Sequence, residues 1–349
     1  MTGLAAVRQT IKASRTLGWL VPYTRAPRVR LRQMSHDVRL AYLKRRYWTI
    51  GTREFTRDLR MAIEVGRGYA TGKIGVSNHF WMFYEIFLAR RPEPRELREF
   101  EEELLFHGLK QSGLFPGDPA FYLRFNTFYM QHVRNLDCLG ICLSPRELEI
   151  KRHYGLDGKW IYYIEQLPPN TGQSRRDGHV SRSGEQDCYL PFFRGKKILI
   201  VCPFASVLQQ RARKEIFEGV WSATRKRWFY PERVDALELP YGFAGDTQRK
   251  YGTVLNLFDR VAEQISQRDF DVALVAAAGL AIPIVSHVKS LGKVGIDLGG
   301  HLQALFGVLG KRWRQREYWM REIWNEHWTD MPAAYVPKES DVCDRGAYW

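Results

Sequence analysis

Three groups of residues in this 349-residue chain carry side chains suited to chemistry and stand where a backbone bend would present them. Lys311, Arg312 and Trp313 form one group: two cations beside an indole can hold a diphosphate while the ring stacks on a base or a sugar. A second is the run Gly75, Val76, Ser77, Asn78 and His79, in which Ser77 and Asn78 offer hydrogen bonds and His79 can accept a proton or donate to a phosphate. The third is a pair of small-residue bends, one at Gly279 and one at Gly299 and Gly300. Glycine there lets a ligand approach the backbone, and a helix N-terminus that follows turns unpaired N–H groups towards an anion. Two acids could remove a proton: Asp297, two residues before the second bend, and Glu326, which lies with Asn325 among Trp319, Trp324 and Trp328.

Each group also has a plainer structural reading. Ser77 or Asn78 is a common helix cap, and small residues after a buried strand serve packing. Lys311 and Arg312 complement the C-terminal dipole of the helix before them, and a tryptophan stripe at helical spacing belongs in a core.

Hydrophobic patterning supplies the scaffold these residues need. Asp271 to Ala276 is a short apolar run that predicts a strand. The small residues after it lead into Ile282 to Leu291, whose apolar positions Ile284, Val285, Val288 and Leu291 predict a helix stopped by Gly292. Lys293 to Leu298 predicts a second strand, and His301 to Leu309 a second helix. Further strands are expected at Lys73 to Val76, Asp137 to Leu143, Lys196 to Cys202 and Asp235 to Leu239, with an extended stretch at Trp160 to Gln166. Helices are expected at Phe80 to Ala89, Pro94 to His107, Ala120 to Arg134, Val207 to Lys226 and Val254 to Gln267, and from His36 to Glu64 with a turn at Ile50 and Gly51. Alternation of strand and helix predicts an α/β fold with a doubly wound, mostly parallel sheet, in which both glycine bends fall on the edge beyond the strand carboxyl ends where ligands sit.

The formal net charge is +15, which favours an anionic partner. Residues 1–46 hold eleven Lys or Arg against the single acid Asp37, so a surplus of +10 belongs to this N-terminal arm and the body, 47–349, is only mildly basic. A nucleic-acid groove across the body is therefore not expected. Thr2 to Val21 spaces Leu4, Val7, Ile11 and Leu17 at near-helical intervals, as an amphipathic helix would on an anionic membrane surface, although a basic arm needs no such surface. The five cysteines, Cys138, Cys142, Cys188, Cys202 and Cys343, show no zinc-like spacing and suit reduced thiols in a cytoplasmic setting. Pro168 to Gln186 is polar and glycine-rich and is expected to be an exposed loop.

Several of these stretches resemble a bacterial family, the GT-D-like glycosyltransferases, a Rossmann-like group found among polysaccharide and glycan assembly proteins. The likeness rests on FDVALVAAAG and on GKVGIDLGGHLQALFGVLGKRW, with Gly299, Gly300, Leu302, Gln303, Phe306, Gly307, Lys311, Arg312 and Trp313. It extends to Asn325, Glu326 and Trp328, to the aromatic end at Tyr348 and Trp349, to GKKILIVCPF with Pro203 and Phe204, and to SGLFP with Gly113, Phe115 and Pro116, so that it spans roughly residues 70–349.

The resemblance implies a GT-D type fold with an N-terminal helical extension and a hexosyltransferase that moves a sugar from a nucleotide-sugar donor to a glycan or lipid-linked acceptor. Gly75, Ser77, Asn78, Gly279, Gly299, Gly300, Gln303, Lys311, Arg312, Trp313 and Asn325 would contact the donor, and His79, Asp297 or Glu326, in that order, would accept the proton. The chain departs from the family at one place. Where relatives carry a glycine and then an acidic pair for a metal, here stand Lys73, Ile74, Gly75, Val76, Ser77, Asn78 and His79, so the expected cofactor is none, with Mn or Mg as the alternative. A catalytically inactive sugar-nucleotide or glycan-binding scaffold of a polysaccharide assembly complex, on the cytoplasmic face of a membrane, is the competing function.

Overall fold

The computed structural model describes residues 38–167, 189–224, 226–341, 343 and 346–349. The arm up to residue 37, the Pro168 to Gln186 loop and Cys188 lie outside the described residues. The chain divides into two units, Met1–Trp48 and Thr49–Trp349. Of the first, residues 38–46 are helical.

The second unit is built on an eight-stranded sheet. Its strands are β1 (Thr49–Ile50), β2 (Tyr69–Lys73), β3 (Cys138–Ile141), β4 (Lys159–Tyr162), β5 (Lys197–Val201), β6 (Arg233–Leu237), β7 (Val272–Val275) and β8 (Val294–Asp297), in the order β1-β4-β3-β2-β8-β7-β5-β6. Every neighbouring pair is parallel, which makes this a Rossmann-like α/β fold with a wholly parallel sheet. The first four strands occupy one half of the sheet and the last four the other. The halves meet where β2 pairs with β8, Tyr69 opposite Val294 and Thr71 opposite Ile296.

Local sequence explains most of the elements. β7, Val-Ala-Leu-Val, and β8 are buried along their whole length, as central strands covered on both faces must be, and each fully buried Val, Leu or Ile contributes roughly 1.5–3 kcal/mol. Helix α1 (Thr52–Val65) buries Phe55, Leu59, Ala62 and Ile63 along one face and ends on Gly66, whose left-handed conformation lets its N–H return to the Ala62 carbonyl. Helix α2 (Asn78–Ala89) follows β2. Asp118 caps helix α3 (Pro119–Arg134) through the N–H groups of Ala120 and Phe121, and Thr253 caps α4 (Val254–Ser266) through Asn256. Helix α5 (Ala281–Ser290) crosses from β7 to β8 and packs on β2, β8 and α3.

Some expected boundaries are corrected. The first central strand is Tyr69–Lys73, not Lys73 to Val76, because Gly72 serves packing and not a turn: a Cβ there would stand 2.7 Å from the Ile282 side chain of α5. Val207 to Lys226 is two short helices, Ala205–Arg211 and Lys214–Val220, broken where Arg213 is extended; the Arg211 Nε is tied to the Phe306 carbonyl at 2.7 Å. His301 to Leu309 is likewise split into helix α6 (His301–Leu305) and strand β9 (Val308–Leu309), and β9 pairs with β10 (Thr329–Asp330) in a separate two-stranded ladder. No helix among the described residues is long and apolar enough to cross a membrane.

Candidate functional site

The seam between β2 and β8 ends in opposite charges. Asp297 closes β8 and is buried; its Oδ2 accepts the Lys73 backbone N–H at 3.2 Å and its Oδ1 accepts that of Gly299 at 2.9 Å. This carboxylate thus fastens the ends of two strands and the bend beyond them. Burial pushes its pKa up from the ordinary carboxylate range, against the pull of the Lys73 ammonium and of the two N–H donors.

Cations gather above that bend. Lys73 reaches over Gly299 so closely that a Cβ there would meet its Nζ at 2.7 Å, and the ammonium faces the Tyr163 ring at 5.9 Å. Gly300 lies against the Tyr348 ring and Arg312; a Cβ on it would meet them at 2.7 and 3.1 Å, and the guanidinium rests over that ring at 5.0 Å. Arg316 lies over the face of Trp313 at 5.2 Å. The charges of Arg312 and Arg316 act on both Tyr163 and His301, and that of Lys73 acts on His301 as well, so all three converge on one place. Burial and the charge of Arg312 lower the pKa of Arg316 from its ordinary value. Three cations, with the Asp297 carboxylate beside Lys73, are thus grouped at the carboxyl edge of a parallel sheet, where the winding changes direction and where open α/β sheets take their ligands.

The structure brings part of the expected set to this seam. Asp297, Gly299, Gly300 and Arg312 are there. Gln303 is buried just behind, donating from Nε2 to the Tyr348 carbonyl at 3.1 Å. Lys311 is exposed beside Arg312, its N–H bonded to the Trp349 carbonyl. Trp313 is buried against Trp319 with ring centroids 4.8 Å apart, so its indole is a floor and offers no free face for stacking on a base.

The bend at Gly279 does not offer its N–H to a ligand. That N–H is donated to the Ser112 carbonyl at 3.1 Å, and a Cβ on Gly279 would strike Leu114 at 2.5 Å. At the second bend the His301 and Leu302 N–H groups return to Leu298 and Gly299, and α6 is only five residues long, so the expected helix N-terminus is not a phosphate cradle.

The turn after β2 faces inward. Gly75 accepts the Asn78 N–H at 3.0 Å, the Asn78 side chain donates to the Tyr129 hydroxyl, and Ser77 Oγ lies 3.4 Å from His107 Nδ1. Ser77 has helical dihedrals and makes no side-chain cap. His79 is buried with Nε2 3.2 Å from Glu147 Oε1, and the same carboxylate accepts the N–H groups of Cys142 and Ser144 at 2.8 and 2.6 Å. His79 therefore braces α2 to the end of β3. Asn325 is also structural: its amide donates to Gly219 at 3.1 Å and its Oδ1 accepts from His327. Glu326 is exposed beside His327. Neither is drawn to the seam by its contacts.

The seam also holds Lys73, Tyr163, His301 and Arg316, and Tyr348 beside Gly300, which the sequence did not single out for it. Lys73 carried a readable signal, a cation on the last position of a central strand; the others had none. The one buried carboxylate at the seam has both oxygens engaged by backbone N–H groups and an ammonium next to it, a poor fit for an oxygen-ligated cation. Among the described residues no group of three His, Cys, Asp or Glu is placed to hold a metal.

Fold and site together define a Rossmann-like protein with a cluster of cations at its sheet seam. Within that class, residues 253–305 match the GT-D-like family, described as a GT-D fold-like domain. The match runs from α4 to the end of α6, takes in both bends and Asp297, and is shorter than the likeness seen across roughly 70–349. No curated protein and no solved structure matches the chain.

Proposed function

We propose that this protein is a glycosyltransferase that moves a hexosyl group from a nucleotide-sugar donor to a glycan or lipid-linked acceptor in polysaccharide assembly. The observation that carries the reading is that Lys73 and Arg312 close over the Gly299–Gly300 bend of the GT-D-like segment, with Arg316 beside them on the face of Trp313. In such a transfer the developing charge is that of the departing diphosphate, and fixed cations in a partly desolvated pocket stabilise it. Tyr163 and Tyr348 give the pocket flat walls suited to a sugar or base.

The base that takes the acceptor proton is assigned to Asp297. Of the three groups it alone has contacts at the seam, and burial raises its pKa from the ordinary carboxylate range. His79 is committed to Glu147, and Glu326 stands on the surface. The acceptor arrives from the cytoplasmic side, and residues 1–46 with their +10 surplus hold the protein against an anionic membrane.

The test is a panel of nucleotide sugars run in parallel by calorimetry and by release of nucleoside diphosphate. Binding with turnover that survives EDTA is the expected result, because no step here is assigned to a metal. Turnover abolished by EDTA and restored by manganese would contradict that assignment. Binding with no turnover on any acceptor would support the scaffold reading, which the double engagement of Asp297 by backbone N–H groups favours.

A further inference from the structure

His301 is the least satisfied polar side chain at the seam. It is buried, and neither Nδ1 nor Nε2 has a hydrogen-bond partner. An imidazole sealed in this way forgoes the hydrogen bonds it would make in water, which costs stability. Its neighbours give that cost a purpose. The ring lies 5.4 Å from that of Trp313, which carries Arg316 on its face, and the residue before it, Gly300, is covered by Tyr348 and Arg312. The three cations of the pocket all act on this ring.

Those surroundings decide what the ring can do. Burial first, then the charges of Lys73 and Arg312, with Arg316 adding to them, hold its pKa well below the ordinary histidine value, so it stays neutral and is a weak base. A neutral imidazole keeps one N–H, and an uncharged donor in a dry, cationic pocket is a recurring means of polarising a phosphate or carbonyl oxygen. A fourth positive charge here would be repelled by the other three; a neutral donor adds a directed hydrogen bond without that penalty.

We propose that His301 donates a ring N–H to a phosphate oxygen of the bound diphosphate, completing the anion cage begun by Lys73, Arg312 and Arg316. Both nitrogens are shut off from solvent, so a ligand reaches the ring only when the side chains over it move. The inference rests on the reading of the seam as a diphosphate pocket.

The test uses the full chain with inorganic pyrophosphate and with UDP, GDP and CDP as probes. Calorimetry of the His301→Phe variant, which keeps the ring and removes the donor, is expected to show affinity about ten- to a hundred-fold weaker, and His301→Gln, which keeps a donor, to recover most of it. In parallel, nitrogen-15 spectra of the wild-type protein, which has nine histidines, should show one ring N–H resonance moving on addition of pyrophosphate, and that resonance should be absent from His301→Phe. Should His301→Phe fail to fold, absence of the same resonance from His301→Gln assigns it and keeps the proposal falsifiable. Wild-type binding that His301→Phe leaves unchanged, or a His301 ring resonance that pyrophosphate does not move, overturns the assignment while leaving the pocket standing. Wild-type protein that binds none of the four probes overturns the diphosphate pocket itself, and the His301 assignment falls with it.

Discussion

The bends after β7 and β8 look alike in sequence and behave differently in the folded protein. Both follow a buried strand, both contain glycine, and the strands are neighbours in the sheet. The first is closed by apolar packing: Gly279 sits under Leu114 with its N–H spent on Ser112, and the helix that follows presents Ile282 to Gly72 and Ser286 to His132 Nδ1 at 2.9 Å. The second is surrounded by Lys73, Arg312 and Arg316, with an unpartnered imidazole behind it. A glycine bend at a strand end is thus a permissive feature, and the side chains that distant segments bring to it decide whether it serves packing or binding.

The largest effect that would sharpen this contrast is expected from Lys73→Ala combined with Arg312→Ala. Loss of two charge-assisted contacts should weaken pyrophosphate binding by about a hundred-fold or more, with the fold retained by circular dichroism. An equal loss from a change at the first bend would break the comparison.

That change is Gly279→Val, which forces atoms into Leu114 and the Ser112 carbonyl. Overpacking of this kind costs about 1–3 kcal/mol, read as a lower denaturation midpoint, while the folded protein should bind pyrophosphate as the wild type does. Weakened binding at unchanged stability would give the first bend a ligand role after all.

The smallest effect is expected at Glu326, which is exposed and has its contact with His327. Glu326→Gln should change stability by no more than about 0.5 kcal/mol and leave turnover of the best donor within two-fold, roughly the scatter of a surface substitution. A hundred-fold drop in turnover would make Glu326 the proton acceptor and move the chemistry off the seam.

Legibility in the sequence followed the range of the interactions involved. Val272–Val275 and Val294–Asp297 were readable as strands, and α4 and α5 as helices, because burial imprints a period on the residues themselves. Gly72 misled, since a close helix–strand approach and a turn leave the same residue type behind. Asp297, Gly299, Gly300 and Arg312 were legible as site candidates through their motif. His79, Asn325 and Trp313 have the right chemistry, yet Glu147, the Gly219 carbonyl and Trp319 already occupy them. Tyr163, His301 and Arg316 carry no local sign of their place, because nothing within a few residues of each reveals which segment will lie opposite.

From its sequence alone this chain was bound to be a strand–helix alternation with a parallel sheet, two permissive bends on one edge and a strongly basic N-terminal arm. Those properties arise from local periodicity, glycine and net charge. Which bend would be lined by cations was decided only in three dimensions, when pairing of β2 with β8 brought Lys73 to Asp297 and the return of the chain through Arg312, Arg316 and Tyr348 closed over Gly300. Mutual repulsion among the cations is offset in part by the buried Asp297 carboxylate beside Lys73, and that juxtaposition is a property of the whole fold.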